Sequence, residues 1–228
     1  GLRDACLAFA TPVVSGNVSF YNETEGQSIP PTPVIGMVGL LEDVSHHVTQ
    51  WFKGEGDAIV LLGRNREELG GSEYLAVVHH QVRGTLPWID LDIERRLIHS
   101  VLQAAREGLL RSAHDVAEGG LAVALAECCI TSEGGPHLGA HIDELEGGIR
   151  ADALLFGESH GRIIVSVRRR HLTRLREIAR REDVVMTTIG EVRGHRLEIG
   201  DLVDLPVATM RERWRGALER TLAGSPQE

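Results

Sequence analysis

Apolar residues recur along this chain in two spacings that alternate from one end to the other. Unbroken apolar runs predict buried strands. They are "VIGMVGLLED" at 34–43, apolar on both faces, "AIVLLG" at 58–63 and "IIVSV" at 163–167. "LGAHIDE" (138–144), "VVMTTIGEV" (184–192) and "HRLEIG" (195–200) predict three more strands. Apolar residues three and four apart predict helices. The first covers residues 2–10, with Leu2, Cys6 and Phe9 on one side, and Thr11-Pro12 ends it. Others cover "SEYLAVVHHQV" (72–82), "LAVALAECCI" (121–130), 150–156, "RRHLTRLREIARRED" (169–183) and about 206–222. The strongest spans 90–110, where Leu97, Ile98, Val101, Leu102 and Ala105 share helical spacing and Asp90 or Asp92 can cap the start.

One segment breaks the apolar rule. In "VVSGNVSFYNET" (13–24), strand alternation places Ser15, Asn17, Ser19 and Tyr21 on one face and Val14, Gly16, Val18 and Phe20 on the other. Two readings are open: an edge strand with a solvated face, or a floor of neutral oxygen ligands under a polar substrate. Asn supplies a carbonyl oxygen suited to a hard cation such as magnesium. Gly16 admits close approach to the backbone. The turn formers of "NETEGQSIPPTP" (22–33) predict a loop, and 44–57, punctuated by Gly54 and Gly56, predicts a domain junction.

Composition narrows the classes. A net charge of −9 argues against a sequence-general nucleic-acid binder. No apolar run reaches the ~20 residues needed to cross a bilayer. Three cysteines, two of them adjacent at 128 and 129, form no disulfide framework and read as reduced thiols in a cytoplasmic protein. Lys53 is the sole lysine, and before Asp57 the other basic side chain, histidines aside, is Arg3. Phosphate chemistry here would draw its positive charge from metal ions or from other polypeptide. The chain begins without Met, directly in a helical pattern, and reads as a piece of a longer polypeptide.

Two glycine-containing stretches add candidates. In "SAHDVAEGGL" (112–121), a turn is predicted, with Asp115 just before a helix and Gly119-Gly120 at its first turn. That is either a capped tight turn or an anion site built on exposed amides. In "FGESHGR" (156–162), Glu158 and Ser159 sit in a glycine-flanked turn that either only reverses the chain or binds phosphate or hydroxyls. His46-His47, His79-His80 and His114 follow no metal-ligand spacing. The arginines at 168, 169, 170, 174, 180 and 181 read as a solvated helix face. No G-x-G-x-x-G follows a strand, and no Walker A motif occurs.

In order along the chain, "ACLAFATPVVSGNVSFYNET", "IPPTPVIGMVGLLEDV", "LPWIDLDIERRL", "SAHDVAEGGLAVALAE" and "LFGESHGRIIVSV" resemble the C-terminal half of phosphoribosylformylglycinamidine synthase. The form resembled is the synthetase subunit of the multi-subunit bacterial enzyme, over nearly the whole chain. The resemblance implies an α/β (α+β) fold of the aminoimidazole ribonucleotide synthetase superfamily. Residues 1–55 would end the second A domain, half of a central barrel. Residues 56–228 would form the second B domain, a sheet flanked by helices. It also implies ATP and Mg2+ as cofactors. The implied partners are the N-terminal half, a glutaminase subunit and a small bridging subunit, with no nucleic acid and no membrane.

By the family's G-N-x-S strand, Gly16 is implied at ATP, Asn17 at magnesium and Ser19 at substrate. The catalytic histidine and ATP-binding lysine of the family belong to the other half. Asp115, Gly119, Gly120, Glu158 and Ser159 would line an auxiliary phosphate site outside catalysis. Two alternatives stay open. One is another ATP-dependent member of the superfamily, such as an aminoimidazole ribonucleotide or selenophosphate synthetase or a thiamine-phosphate kinase. The other is a non-catalytic, nucleotide-holding module.

Overall fold

The computed structural model describes residues 1–18, 22–135, 137–143, 145 and 148–224. The chain divides into two compact units, Gly1–His47 and the remainder from Val48. Phe52, which precedes the junction expected after residue 55, belongs to the second unit. Its ring is buried and its N–H donates to Cys128 O at 2.9 Å.

The first unit holds helix α1 (Leu2–Ala8) and a two-stranded hairpin, β1 (Glu23–Thr24) and β2 (Gln27–Ser28). Glu25 and Gly26 both take positive φ at the hairpin turn, as the tightest hairpin connection requires. Asp43 caps a 3₁₀ turn at Val44–His46 by accepting from Ser45 N–H at 2.8 Å. The two strands expected here are not formed among the described residues. Residues 11–18 and 29–41 have no regular structure, and Ser19, Phe20 and Tyr21 lie outside the described residues. Far from being buried, Val14 is 92% and Val38 99% exposed, with Val34 and Leu40 similar. A strand forms only against a partner backbone that takes its N–H and C=O groups, and these segments meet none within the described residues.

The second unit is built on a seven-stranded sheet in the order β4-β6-β3-β7-β5-β8-β9. The strands are β3 (Ala58–Leu62), β4 (Leu110–Asp115), β5 (Ala140–Ile142), β6 (Ile163–Val167), β7 (Met186–Val192), β8 (Arg196–Ile199) and β9 (Val203–Pro206). The pairings are antiparallel except β5 with β8. The helices are α2 (Glu73–His79), α3 (Leu91–Arg106), α4 (Gly120–Ile130), α5 (Ala151–Phe156), α6 (Leu172–Arg181), α7 (Val207–Arg215) and α8 (Ala217–Leu222).

Central β3 shows why its sequence is apolar throughout. Ile59 and Leu61 join one core with α4 and Val207 of α7, while Ala58, Val60 and Leu62 join another with α3 and α6. Both faces are covered, so both alternating sets must be apolar. The result is the expected sheet flanked by helices. α4 is apolar nearly all round because it is enclosed by the sheet, α5 and α7. α6 is amphipathic: Leu175, Ile178 and Ala179 point inward, and Arg174 pairs with Glu107 and Glu177 on the solvated face.

Several local expectations shift. α3 buries Leu97, Ser100 and Ala104, leaving Ile98 and Leu102 exposed. Ser100 can turn inward because its Oγ donates to Arg96 O at 3.0 Å. The stretch around residues 112–115 is a strand rather than a turn. Ser112 lies opposite Ser166 in the β4–β6 ladder, and their buried hydroxyls hydrogen-bond to each other at 2.5 Å. The final helix is two helices, broken at Gly216, and the edge strand β9 precedes it. Pro206 at the end of an edge strand removes no ladder hydrogen bond that the sheet needs.

Candidate functional site

The two glycine-containing motifs meet in the second unit. β4 delivers the 116–119 turn to the start of α4, and α5 delivers Gly157–Arg162 to the start of β6. Val116 N–H donates to Arg162 O at 3.0 Å, which stitches the turns together. Gly120 has φ +70° and sits against the α5 terminus. A Cβ there would lie 2.7 Å from Gly157 O and 2.8 Å from Leu155 O, so this contact and this backbone conformation both call for glycine.

Glu158 closes the cluster. One oxygen, Oε1, accepts from Gly119 N–H and from Glu73 N–H, each at 2.8 Å. The carboxylate thus sits where an external anion at the Gly119 amide would sit, and it also holds the first turn of α2. Ser159 is buried, and its Oγ has no hydrogen-bond partner among the described residues. The same holds for Glu68 Oε2, whose Oε1 accepts from Trp88 N–H at 3.0 Å.

Beneath them lies Arg162, 3% exposed. Its Nε donates to Ser159 O at 3.0 Å, Nη1 to Asn65 Oδ1 at 2.9 Å and Nη2 to Gly157 O at 2.6 Å. Burial pushes its proton affinity down to about 10, against the pull of Glu68 and Glu158. Sequence reasoning passed over Arg162, Glu68 and Asn65. Arg162 had one available signal: a charged residue set directly before an apolar strand.

Asp115 stands apart from this cradle. It ends β4, with a side chain 72% exposed, 3.3 Å from His114 Nδ1. His114 Nε2 lies 2.7 Å from Glu127 Oε2 on α4. Burial opposes charge on His114, but the hydrogen bond and charge of Glu127, joined by Asp115, outweigh it and raise the imidazole above its usual value. No group of three metal-ligating side chains occurs among the described residues. Lys53 is not free to take a phosphate. Its Nζ donates to Trp51 O and Thr49 O and lies 4.9 Å from the Trp51 ring centroid, and burial lowers its proton affinity to about 8.

Gly16 and Asn17 lie in the first unit, both exposed and outside regular structure, and Ser19 falls outside the described residues. A Cβ on Gly16 would meet nothing within 4 Å. The backbone there is open to a ligand, and the Asn17 amide is solvent-accessible.

Residues 54–201 match the family described as AIR synthase related protein, C-terminal domain. The chain is 46% identical over 228 residues to Phosphoribosylformylglycinamidine synthase subunit PurL of Anaeromyxobacter sp. (strain Fw109-5), covering 97% of this chain and 30% of the relative. It spans about 30% of the length of the curated relatives it matches. Among solved structures, T. maritima PurL complexed with FGAR is 21% identical, with a TM-score of 0.62, over 74% of this chain and 30% of that one. T. maritima PurL complexed with ATP is 24% identical, with a TM-score of 0.56, over 74% and 28%. At these identities the structural likeness shows the fold.

Proposed function

The chain belongs to the AIR synthase related C-terminal domain family, and from that premise we propose that it forms part of an ATP-dependent amidoligase of purine biosynthesis. The reaction converts formylglycinamide ribonucleotide and ammonia to formylglycinamidine ribonucleotide. ATP phosphorylates the substrate amide oxygen, and ammonia, released from glutamine, then displaces phosphate. The observation that carries this reading is 46% identity maintained across 97% of the chain. Residues 1–55 end an A domain and residues 56–228 form a B domain. The N-terminal half supplies the catalytic histidine and lysine. Glutaminase and bridging subunits supply ammonia, and the assembly works in the cytoplasm. The exposed Val14, Val34, Val38 and Leu40 support a partner for the first unit, since such residues are the inward faces of strands once paired.

Gly16 lies at ATP, Asn17 at magnesium and Ser19 at the substrate. The donor set fits: an accessible amide oxygen beside a glycine with open space above its backbone. Magnesium, when bound, would supply positive charge that offsets the phosphate charge. Asn17 would hold the ion through a neutral oxygen, Gly16 would leave room for the nucleotide, and the Ser19 hydroxyl would orient the substrate. In the full-length enzyme, Asn17→Ala should lower turnover at least about tenfold at fixed magnesium, with partial recovery at high magnesium and an unchanged melting temperature. Unaltered turnover with normal magnesium dependence sinks the assignment. The 228-residue chain alone should produce no product from ATP, ammonia and substrate.

A second reading applies to the cradle in the second unit. Because Glu158 already occupies the Gly119 amide, we read Gly119, Gly120, Glu158 and Ser159 there as structural, with the exposed Asp115 outside the cradle.

A further inference from the structure

A concave region of the second unit lies where the loop before β5, the β7–β8 turn and α7 converge. It is an open cleft of about 440 Å3 lined chiefly by His137, His195, Arg211, Glu212 and Arg215. Its construction is specific. Val207 N–H donates to His195 O at 3.0 Å, so the start of α7 is tied to the β7–β8 turn. Arg211 and Arg215 are four residues apart and share one face of α7. His195 Nδ1 lies 3.2 Å from His137 O and donates to it, which leaves Nε2 for another partner.

Two polar atoms here are buried and unpaired among the described residues, His137 Nδ1 and Arg211 Nε. That is costly unless something else satisfies them. Elsewhere in this unit arginines meet carboxylates: Arg96 with Asp183, Arg169 with Glu191, Arg174 with Glu107, Arg196 with Asp204. Among the described residues Arg211 and Arg215 join no such pair. Their uncompensated charge acts on His137, whose proton affinity is lowered by burial and then by the two guanidinium groups. Two guanidinium forks and two imidazoles with one opposing carboxylate disfavour a metal cation and match the several acceptor oxygens of a phosphate.

We propose that this cleft binds a phosphate dianion, free or as the monoester of a small molecule, through Arg211, Arg215, His137 and His195. The site rests on α7 and its neighbours and is independent of the amidoligase reading.

The test is a titration of the intact chain with inorganic phosphate and, separately, with AMP, in a phosphate-free buffer of fixed ionic strength. Binding is read by calorimetry and by the imidazole NMR signals of His137 and His195. Saturable binding with shifts at both histidines is expected. The double variant Arg211→Gln/Arg215→Gln should weaken it at least about tenfold, as loss of charge-assisted hydrogen bonds requires. Glu212→Gln should tighten it, by about two- to threefold, by removing the one like charge. If the partly buried Arg211 variant melts early, Arg215→Gln and Glu212→Gln carry the test, since both residues are exposed and their effects must have opposite signs. Affinity for both probes unchanged in the double variant, or in Arg215→Gln where that variant stands in for it, overturns the site. So does an equal histidine shift with chloride.

Discussion

Arg162→Met removes a buried guanidinium and leaves an apolar chain of similar reach. Three acceptors then lose their donor: Ser159 O, Asn65 Oδ1 and Gly157 O. A buried acceptor without a partner costs about 1–3 kcal/mol. Part of that is offset, because the charge is itself held against burial, as its lowered proton affinity records. Glu68 and Glu158 work in the other direction, because both carboxylates lose the attraction of the Arg162 cation. The net loss should be on the order of 3–5 kcal/mol, the range for removing one partner from a buried charged network. For a unit of this size that corresponds to a fall in melting temperature of roughly 10 °C. Trp51, Trp88 and Trp214, the chain's three tryptophans, all lie in the second unit, so tryptophan fluorescence in urea reports that unit alone. Asn65→Ala, which removes one of the three acceptors, should cost about 1 kcal/mol. A loss below about 1 kcal/mol for Arg162→Met would mean that the turns hold each other without the guanidinium, and the reasoning about the cradle would fail.

Gly120→Ala must place a Cβ against the α5 terminus at positive φ, and should destabilise the second unit by about 2–4 kcal/mol in the same urea assay. His114 is raised in the folded state, so its contribution is full below the unfolded value of about 6.5 and is lost as pH rises through its folded value. An NMR titration should place its imidazole above the free value, and Glu127→Gln should bring it down; no change on that substitution refutes the pairing. Burial pushes the Cys129 thiol up to about 12 and raises Cys128 well above its usual value. At pH 8 a thiol reagent should therefore modify the partly exposed Cys6 first, with Cys128 and Cys129 reacting at the rate of unfolding.

Legibility in the sequence tracked how local the deciding physics was. The helices at 91–106, 120–130 and 172–181 were readable because spacing and capping are properties of one segment, as in Asp90 accepting from Asp92 and Ile93 N–H. β3 was readable because a strand covered on both faces must be apolar throughout. β4 was not, since "SAHD" becomes a strand through a long-range ladder with β6 and a buried Ser112–Ser166 pair. The cradle was half readable. Its glycines announced a close approach, but nothing local says that Glu158 will reach Gly119 and Glu73 at once, or that Arg162 will be enclosed.

The same logic explains the polar-faced stretch at 13–18. Alternation of Ser15 and Asn17 with Val14 and Val18 is a strand pattern, yet the structure leaves these residues irregular and exposed. The pattern is not at fault, because a strand belongs to a pair and a single segment contains half of the hydrogen bonds that define it. An exposure of 92% at Val14 would persist at a cost of about 1.5–3 kcal/mol per large apolar side chain left in water. Several such residues occur in the first unit, among them Val34, Val38 and Leu40. On the amidoligase reading, one partner sheet supplies two things together: it covers Val14 and Val18, and it holds Ser15 and Asn17 on the opposite face at a fixed spacing. The alternation that makes the segment unstable alone is then the same feature that would aim its oxygen ligands at one point once paired.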